Sequence, residues 1–319
     1  MDSSKSKEVN YEFLPFLQVY KDGRVERFIG TDFIPPSIHP ETGVSSKDVI
    51  IVPETGVSAR IYLPMITSET HEKRPLLIYI HGGCFCFGSA FSGTYHNYLN
   101  SLVAEANVVA VSIEYRLAPE HHLPIAYEDS WAAIQWVLSD SWLQGYVDLE
   151  RVFLAGDSSG ANIVHNMAMR AGDVTNPVNL LGVALIQPYF WGKERIGSEG
   201  AFNADKLIVP NKMWTFAYPS TIGYDDPLVN PFAAEAPSLS DLGCTHVLVF
   251  VTDQDVYRDR GWLYYETLRK SNWRGVVQIM ETEGEDHVFH LFSPTSQKAL
   301  DMIKRLGSFL NQDKCAGIM

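Results

Sequence analysis

The stretch "LAGDSSGANIVHNMAMR", residues 154–170, decides the fold. It opens as the end of an apolar run, passes through a glycine-framed pair of serines, and continues with apolar residues at helical spacing. Gly156-Asp157-Ser158-Ser159-Gly160 fits the pattern GxSxG between a strand and a helix, which is the context that pattern requires. Small residues flank the central serine because its backbone is forced into a strained turn that lifts the hydroxyl above a sheet. On that reading Ser158 is a candidate nucleophile, and the Ser159 amide, in the first turn of the following helix, points at a developing oxyanion. A plain tight turn would use the same residue types, so the surrounding sequence has to separate the two readings.

Working outward, Leu76 to Ile80, Val108 to Tyr115, Val152 to Gly156, Gly182 to Gln187 and Val247 to Val251 are nearly continuous apolar runs. Strands read this way when both of their faces are covered. Between and after them lie helical patterns. In "AYEDSWAAIQWVLSD", Tyr127, Trp131, Ile134 and Leu138 recur at helical spacing, and "DRGWLYYETLRK" and "SQKALDMIKRLGSFL" supply two more. Buried strands alternating with helices predict an α/β fold with a mostly parallel central sheet and helices on both faces. Ligands gather at the carboxyl ends of such strands. Nearer the start, "RVERFI", "KDVIIV" and "SARIYLP" alternate apolar and polar residues, as half-exposed antiparallel strands do.

The first buried run ends in "HGGCF", His81 to Phe85, and a glycine-rich loop there can bring backbone amides to face the serine. A base is still needed. The order serine, aspartate, histidine expected for this architecture leaves His165, His246, His287 and His290. His165 lies about two helical turns past Ser158 and His246 begins a buried strand. His287, in "GEDHVFHLF", follows the strand pattern "VVQIMET" in a loop that can reach over the sheet, with His290 as the alternative. For the carboxylate that orients the base, "VFVTDQDVYRDRG" offers Asp253, Asp255 and Asp259. The loop position favours Asp255, whereas Asp259 suits a helix cap and Asp253 a solvated loop.

Composition narrows the function classes. Apolar residues make up 46% of the 319 and charged residues 20%, as in an ordinary globular chain. A net charge of -13 argues against a nucleic-acid groove, which needs surplus lysine and arginine. The first ten residues lack the apolar core of a signal peptide, and no apolar run is long enough to cross a bilayer, so the expected location is the cytoplasm, with no membrane partner. Cys84, Cys86, Cys244 and Cys315 read as structural or free thiols, because "CFC" has no second pair to complete a zinc site. Cys315 stands fifth from the end, outside a prenylation box. No linker or internal repeat divides the chain, so residues 1–319 read as one domain.

At this point the chain resembles the plant carboxylesterases of the hormone-sensitive-lipase-like class of α/β-hydrolases. The resemblance rests on "HGGCFCFGSAFS", "VVAVSIEYRLAPEHHLPIAYEDSWAAIQWV", "GDSSGANIVHNMAMR", "PYFWG" and "GEDHVFHLF", with "LQVYKDGRVERF" and "ETGVSSKDV" near the start, and it spans nearly the whole chain. It implies a catalytic triad of Ser158, Asp255 and His287 and an oxyanion hole from the loop Gly82, Gly83 and Cys84 together with Ser159. The family's loop usually reads HGGG. Cysteine at position 84 keeps the amide and narrows the nearby pocket. The resemblance also implies a helical cap from about residues 1–45 and 191–231, with Phe190, Trp191, Trp214, Phe216 and Tyr218 suited to it, although an ordinary core accounts for them equally. Arg116 and Glu120 read as hydrogen-bonded supports.

The same group includes the 2-hydroxyisoflavanone dehydratases, alkaloid cyclases and, more distantly, gibberellin receptors. The resemblance implies that these carry threonine at the position of Ser158, lose the histidine, or replace it with an apolar residue. This chain keeps all three residues, so the expected activity is hydrolysis of a small-molecule carboxylic ester, a plant specialised metabolite or a xenobiotic, through an acyl-enzyme, by a monomer or homodimer. Elimination, cyclisation or binding alone are the alternatives. No metal or organic cofactor is called for.

Overall fold

The computed structural model describes residues 8–65, 72–175 and 178–312, so Cys315 lies outside the described residues. The strands are β1 (Val9–Phe13), β2 (Leu17–Tyr20), β3 (Val25–Arg27), β4 (Ser45–Val52), β5 (Val57–Leu63), β6 (Arg74–Ile80), β7 (Val109–Glu114), β8 (Val147–Asp157), β9 (Leu180–Ile186), β10 (Cys244–Thr252) and β11 (Val276–Thr282). The helices are α1 (Gly93–Ala106), α2 (Ile125–Ser139), α3 (Ser159–Ala171), α4 (Ile208–Ala217), α5 (Arg258–Lys270), α6 (Phe289–Phe292) and α7 (Gln297–Leu310).

An eight-stranded sheet runs in the order β11-β10-β9-β8-β6-β7-β5-β4. From β7 through β11 all pairings are parallel, and β5 and β4 close one side antiparallel. The continuous apolar runs are explained by the two cores. Leu77 and Tyr79 of β6 pack with α1 and α7 on one face. Leu76, Ile78 and Ile80, one residue out of phase, pack with α2 and α3 on the other. With the side-chain period of a strand at two, a run buried on both faces has no polar position left. The edge strand β4 breaks this rule and leaves Ile50 exposed. Among the described residues no helix is long and apolar enough to cross a membrane.

The opening segment departs from the helical cap that the resemblance implies, whereas the antiparallel strand read at "RVERFI" is present as β3. β1, β2 and β3 form a separate three-stranded antiparallel sheet. Leu17 and Val19 are buried while Gln18 and Tyr20 are not, which is a period of two and not of 3.6. Asp22-Gly23, with Gly23 at φ 83°, turns the chain between β2 and β3. Of residues 191–231, only α4 and a short 3-10 turn at Gly197–Ala201 are helical.

Candidate active site

The site is assembled where β8 ends. Ser158 sits at φ 51° and ψ −119°, a conformation that L-residues rarely adopt. Its neighbours hold it there: its amide donates to the Ile186 carbonyl at 2.9 Å, and its own carbonyl accepts from the Tyr189 amide at 3.0 Å. The framing glycines are steric requirements. A Cβ on Gly160 would lie 2.1 Å from the Ile80 carbonyl oxygen, and one on Gly156 would lie 2.6 Å from the same atom. Helix α3 and strands β6 and β8 therefore approach closely enough to aim the start of the helix at Ser158.

His287 Nε2 lies 2.9 Å from Ser158 Oγ, and His287 Nδ1 lies 2.8 Å from Asp255 Oδ2. The other oxygen of Asp255 accepts from the Tyr257 amide at 3.0 Å, and the residue is 1% exposed. Burial pulls the His287 pKa down, but the charge and hydrogen bond of Asp255, followed by the charges of Asp157 and Asp286, outweigh it and raise it above 6.5. This is the geometry in which a carboxylate orients a base and the base reaches a hydroxyl. Gln187 braces it from β9: its Oε1 accepts from the Val288 amide at 2.7 Å while its Nε2 donates to Thr252 Oγ1 at 2.8 Å. Gln187 carries no motif, and its φ of 47° is not visible in sequence.

The competing residues are used elsewhere. His165 is buried against Tyr264, with its pKa pushed down to about 3 by burial. His290 is likewise buried, edge-on to Tyr98, and lowered to about 3 by burial. His246 lies on β10, away from the loops that carry Asp255 and His287. Asp253 accepts from the Gly284 amide at 2.6 Å, and Asp259 accepts from Ser198 Oγ at 2.7 Å, which fastens residue 198 to α5. Arg116 pairs with Asp129, whereas Glu120 accepts from both terminal guanidinium nitrogens of Arg27, at 2.9 and 2.6 Å. Arg27 also donates to the carbonyls of Cys86 and Ala118, so β3 is tied directly to the glycine-rich loop.

In that loop one expectation is corrected. The Gly82 amide is turned inward, donating to the Tyr95 hydroxyl at 2.9 Å and to Asp157 Oδ1 at 3.2 Å, so it does not face Ser158 as an oxyanion donor. Gly82 is needed for space, because a Cβ there would lie 2.4 Å from Asp157 Oδ2. Tyr79 and Tyr95 also donate to Asp157, whose carboxyl burial pushes up to about 6. Among the described residues no hydrogen bond engages the amides of Gly83, Cys84 or Ser159. Gly83 stands at φ 108°, and Cys84 and Phe85 follow at 52° and 64°. Burial pushes the Cys84 thiol up to about 12, so it stays protonated and is a wall rather than a nucleophile.

Ser158 and His287 open into a cavity of about 720 Å³. Its apolar lining includes Phe13 of β1, Leu14 and Phe16 of the turn from β1 to β2, Ile208 and Val209 of α4, and Leu291. The aromatic set read from the sequence does not line it. Phe190, Trp191 and Trp214 are at most 1% exposed and belong to the core, and Phe216 packs behind Tyr11 and Phe13.

The α/β-hydrolase fold family matches residues 77–291. The chain is 48% identical over 314 residues to "Probable carboxylesterase 2" of Arabidopsis thaliana, covering 98% of this chain and 99% of that protein. It is 47% identical over 323 residues to a 2-hydroxyisoflavanone dehydratase of Glycyrrhiza echinata, covering 97% and 98%. Among solved structures, a hyperthermophilic esterase of the archaeon Pyrobaculum calidifontis superposes with a TM-score of 0.71 at 28% identity, over 89% of this chain and 88% of that one. The chain therefore belongs to the α/β-hydrolase fold family and, within it, to the carboxylesterase-like hydrolases whose relatives include the 2-hydroxyisoflavanone dehydratases.

Proposed function

We propose that this protein is a serine carboxylesterase acting on a small-molecule ester through an acyl-enzyme. The observation that carries the reading is the continuous chain from Asp255 through His287 to Ser158, at 2.8 and 2.9 Å. His287 takes the proton of Ser158 as its Oγ attacks the ester carbonyl, and Asp255 holds the tautomer and stabilises the imidazolium. The unpaired amides of Gly83, Cys84 and Ser159 receive the oxyanion, the last at the positive end of α3. The imidazolium then protonates the departing alkoxide, and water activated by His287 releases the acid. The small sheet and the region of residues 191–231 act as the cap, and the apolar cavity suits a largely apolar ester.

Elimination is the second reading, favoured by the 47% identity to a dehydratase. A base and an oxyanion site also serve proton abstraction beside a carbonyl. The two are separated by incubating the protein with p-nitrophenyl acetate and a fluorophosphonate probe, beside Ser158→Ala, and reading nitrophenol release and intact mass. Turnover and a single label in the wild type, both absent from Ser158→Ala, support the esterase. A wild type that neither turns over nor takes the label excludes an activated serine and leaves elimination or binding.

A further inference from the structure

Lys206 lies at the rim of the cavity, two residues before α4. Its ammonium donates to the Gln254 carbonyl at 3.0 Å and to Asp286 Oδ2 at 2.7 Å. Gln254 immediately precedes Asp255, and Asp286 immediately precedes His287. The two acceptors sit on different loops, one after β10 and one after β11. One cation from the cap region thus spans the loop that holds the carboxylate and the loop that holds the base. The loops are already joined farther out, by the Gly284 amide to Asp253 and the Gln254 amide to the Glu285 carbonyl at 3.2 Å. Lys206 adds the contact beside the catalytic pair. The side chains of Lys206 and Asp286 are 38% and 57% exposed, and an ion pair in that setting contributes little to folding. Stability therefore does not account for the arrangement.

We propose that Lys206 is a positioning residue, which fastens the Asp255 loop to the His287 loop and couples the seating of the cap to the geometry of the catalytic pair. The proposal rests on the esterase reading for its kinetic test alone. An added ångström between base and nucleophile is costly because the reacting groups must be held in a near-attack arrangement.

The charges offer a readout that loss of a mere support would not move. His287 is faced by Asp255 and Tyr257 from the β10 loop, Asp157 and Ser158 from the elbow, Asp286 on its own loop and His290 from α6. Lys206 offsets the nearest exposed anion, Asp286. In Lys206→Met that anion is uncompensated, so His287 holds its proton to higher pH. In Asp286→Asn the anion is gone, and His287 releases its proton at lower pH.

The test measures kcat/KM with p-nitrophenyl acetate against pH, and follows His287 in the resting protein by NMR, reading its titration and its Nδ1 proton bonded to Asp255. For Lys206→Met the expected result is a roughly tenfold loss in kcat/KM, an acidic limb moved up by about half a pH unit and a weakened Nδ1 proton signal. Lys206→Arg restores most of each, and Asp286→Asn loses rate while its limb moves down. A rate within twofold of wild type, or a loss with His287 titration and its Nδ1 proton unmoved, overturns the proposal. If the wild type does not turn over p-nitrophenyl acetate, the esterase reading fails by itself. NMR then decides the proposal: a His287 change in Lys206→Met reversed in Lys206→Arg supports it, and no change overturns it.

Discussion

Substituting Gly83 by alanine tests whether the loop amides receive the oxyanion. Gly83 stands at φ 108°, and a Cβ there would lie 1.9 Å from the Phe87 carbonyl oxygen and 2.7 Å from its carbon. The obstacle is backbone, and it cannot simply retreat, because the amides of Cys86 and Phe87 both donate to the Gly83 carbonyl, at 2.9 and 3.0 Å. Relief must come by rotating the peptides on both sides of Gly83, which swings the Gly83 and Cys84 amides off their aim. Loss of one oxyanion donor typically lowers kcat by about a hundredfold to a thousandfold, roughly 3–4 kcal/mol of transition-state stabilisation. The positive φ adds about 1–2 kcal/mol of folding cost. For 319 residues at about 2.1 cal/mol/K each, unfolding entropy is about 0.7 kcal/mol/K, so each kcal/mol moves Tm by only ~1.5 °C. Gly83→Ala is therefore expected to lose at least about a hundredfold in kcat, with KM little changed and a Tm lower by a few degrees. The assay is p-nitrophenyl acetate turnover at 25 °C, well below the transition, with calorimetry on the same samples. If the variant keeps more than about a tenth of wild-type kcat, the loop amides do not hold the oxyanion and the reasoning fails.

Three further outcomes follow from the same structure. Because His287 accepts a proton only when neutral, kcat/KM rises with pH through its raised pKa and then levels; the same raised value stabilises the fold below about 6.5 and that contribution is lost as pH climbs, so activity and Tm run oppositely there, and a Tm slope unaltered in His287→Ala contradicts the assignment. Arg27→Met removes the bidentate bond to Glu120 and the bonds to two loop carbonyls, freeing the small sheet that walls the cavity; KM should rise several-fold with a smaller change in kcat, and unchanged steady-state constants would refute the wall role. Glu199 is fully buried against Arg260, at 2.6 and 3.0 Å, so Glu199→Gln strands a buried guanidinium and should cost about 3–5 kcal/mol in urea unfolding; a loss under 1 kcal/mol would mean that the pair is solvated.

The candidate site is legible in sequence because its constraints are local. Gly156 and Gly160 are forced by atoms within one strand-turn-helix unit, and strands buried on both faces announce themselves as unbroken apolar runs. His287 and Asp255 could be read because each follows a strand pattern in a loop with few rivals. The direction of the Gly82 amide could not, since its partners Tyr95 and Asp157 stand 13 and 75 residues away. Gln187 is hidden for the same reason: its contacts, Thr252 at the end of β10 and Val288 just before α6, stand 65 and 101 residues away.

The cavity is the least legible part, and the reason is physical. Its walls come from a small sheet whose strands are three to five residues long and from a ten-residue helix. Segments that short carry too few periods to separate 2 from 3.6, so of the three strands only β3, within "RVERFI", reads as one. Aromatic residues are no better guide, because Trp191 and Trp214 fill the core as readily as they would line a pocket. Cys84 shows where the two kinds of information meet. Its amide belongs to the readable loop, and its side chain, held at φ 52° where glycine would be unstrained, is part of the cavity wall. On the esterase reading proposed above, reaction class follows from the backbone of this loop, whereas ester preference follows from side chains such as that thiol, so a substitution at position 84 should alter substrate choice before it alters the reaction.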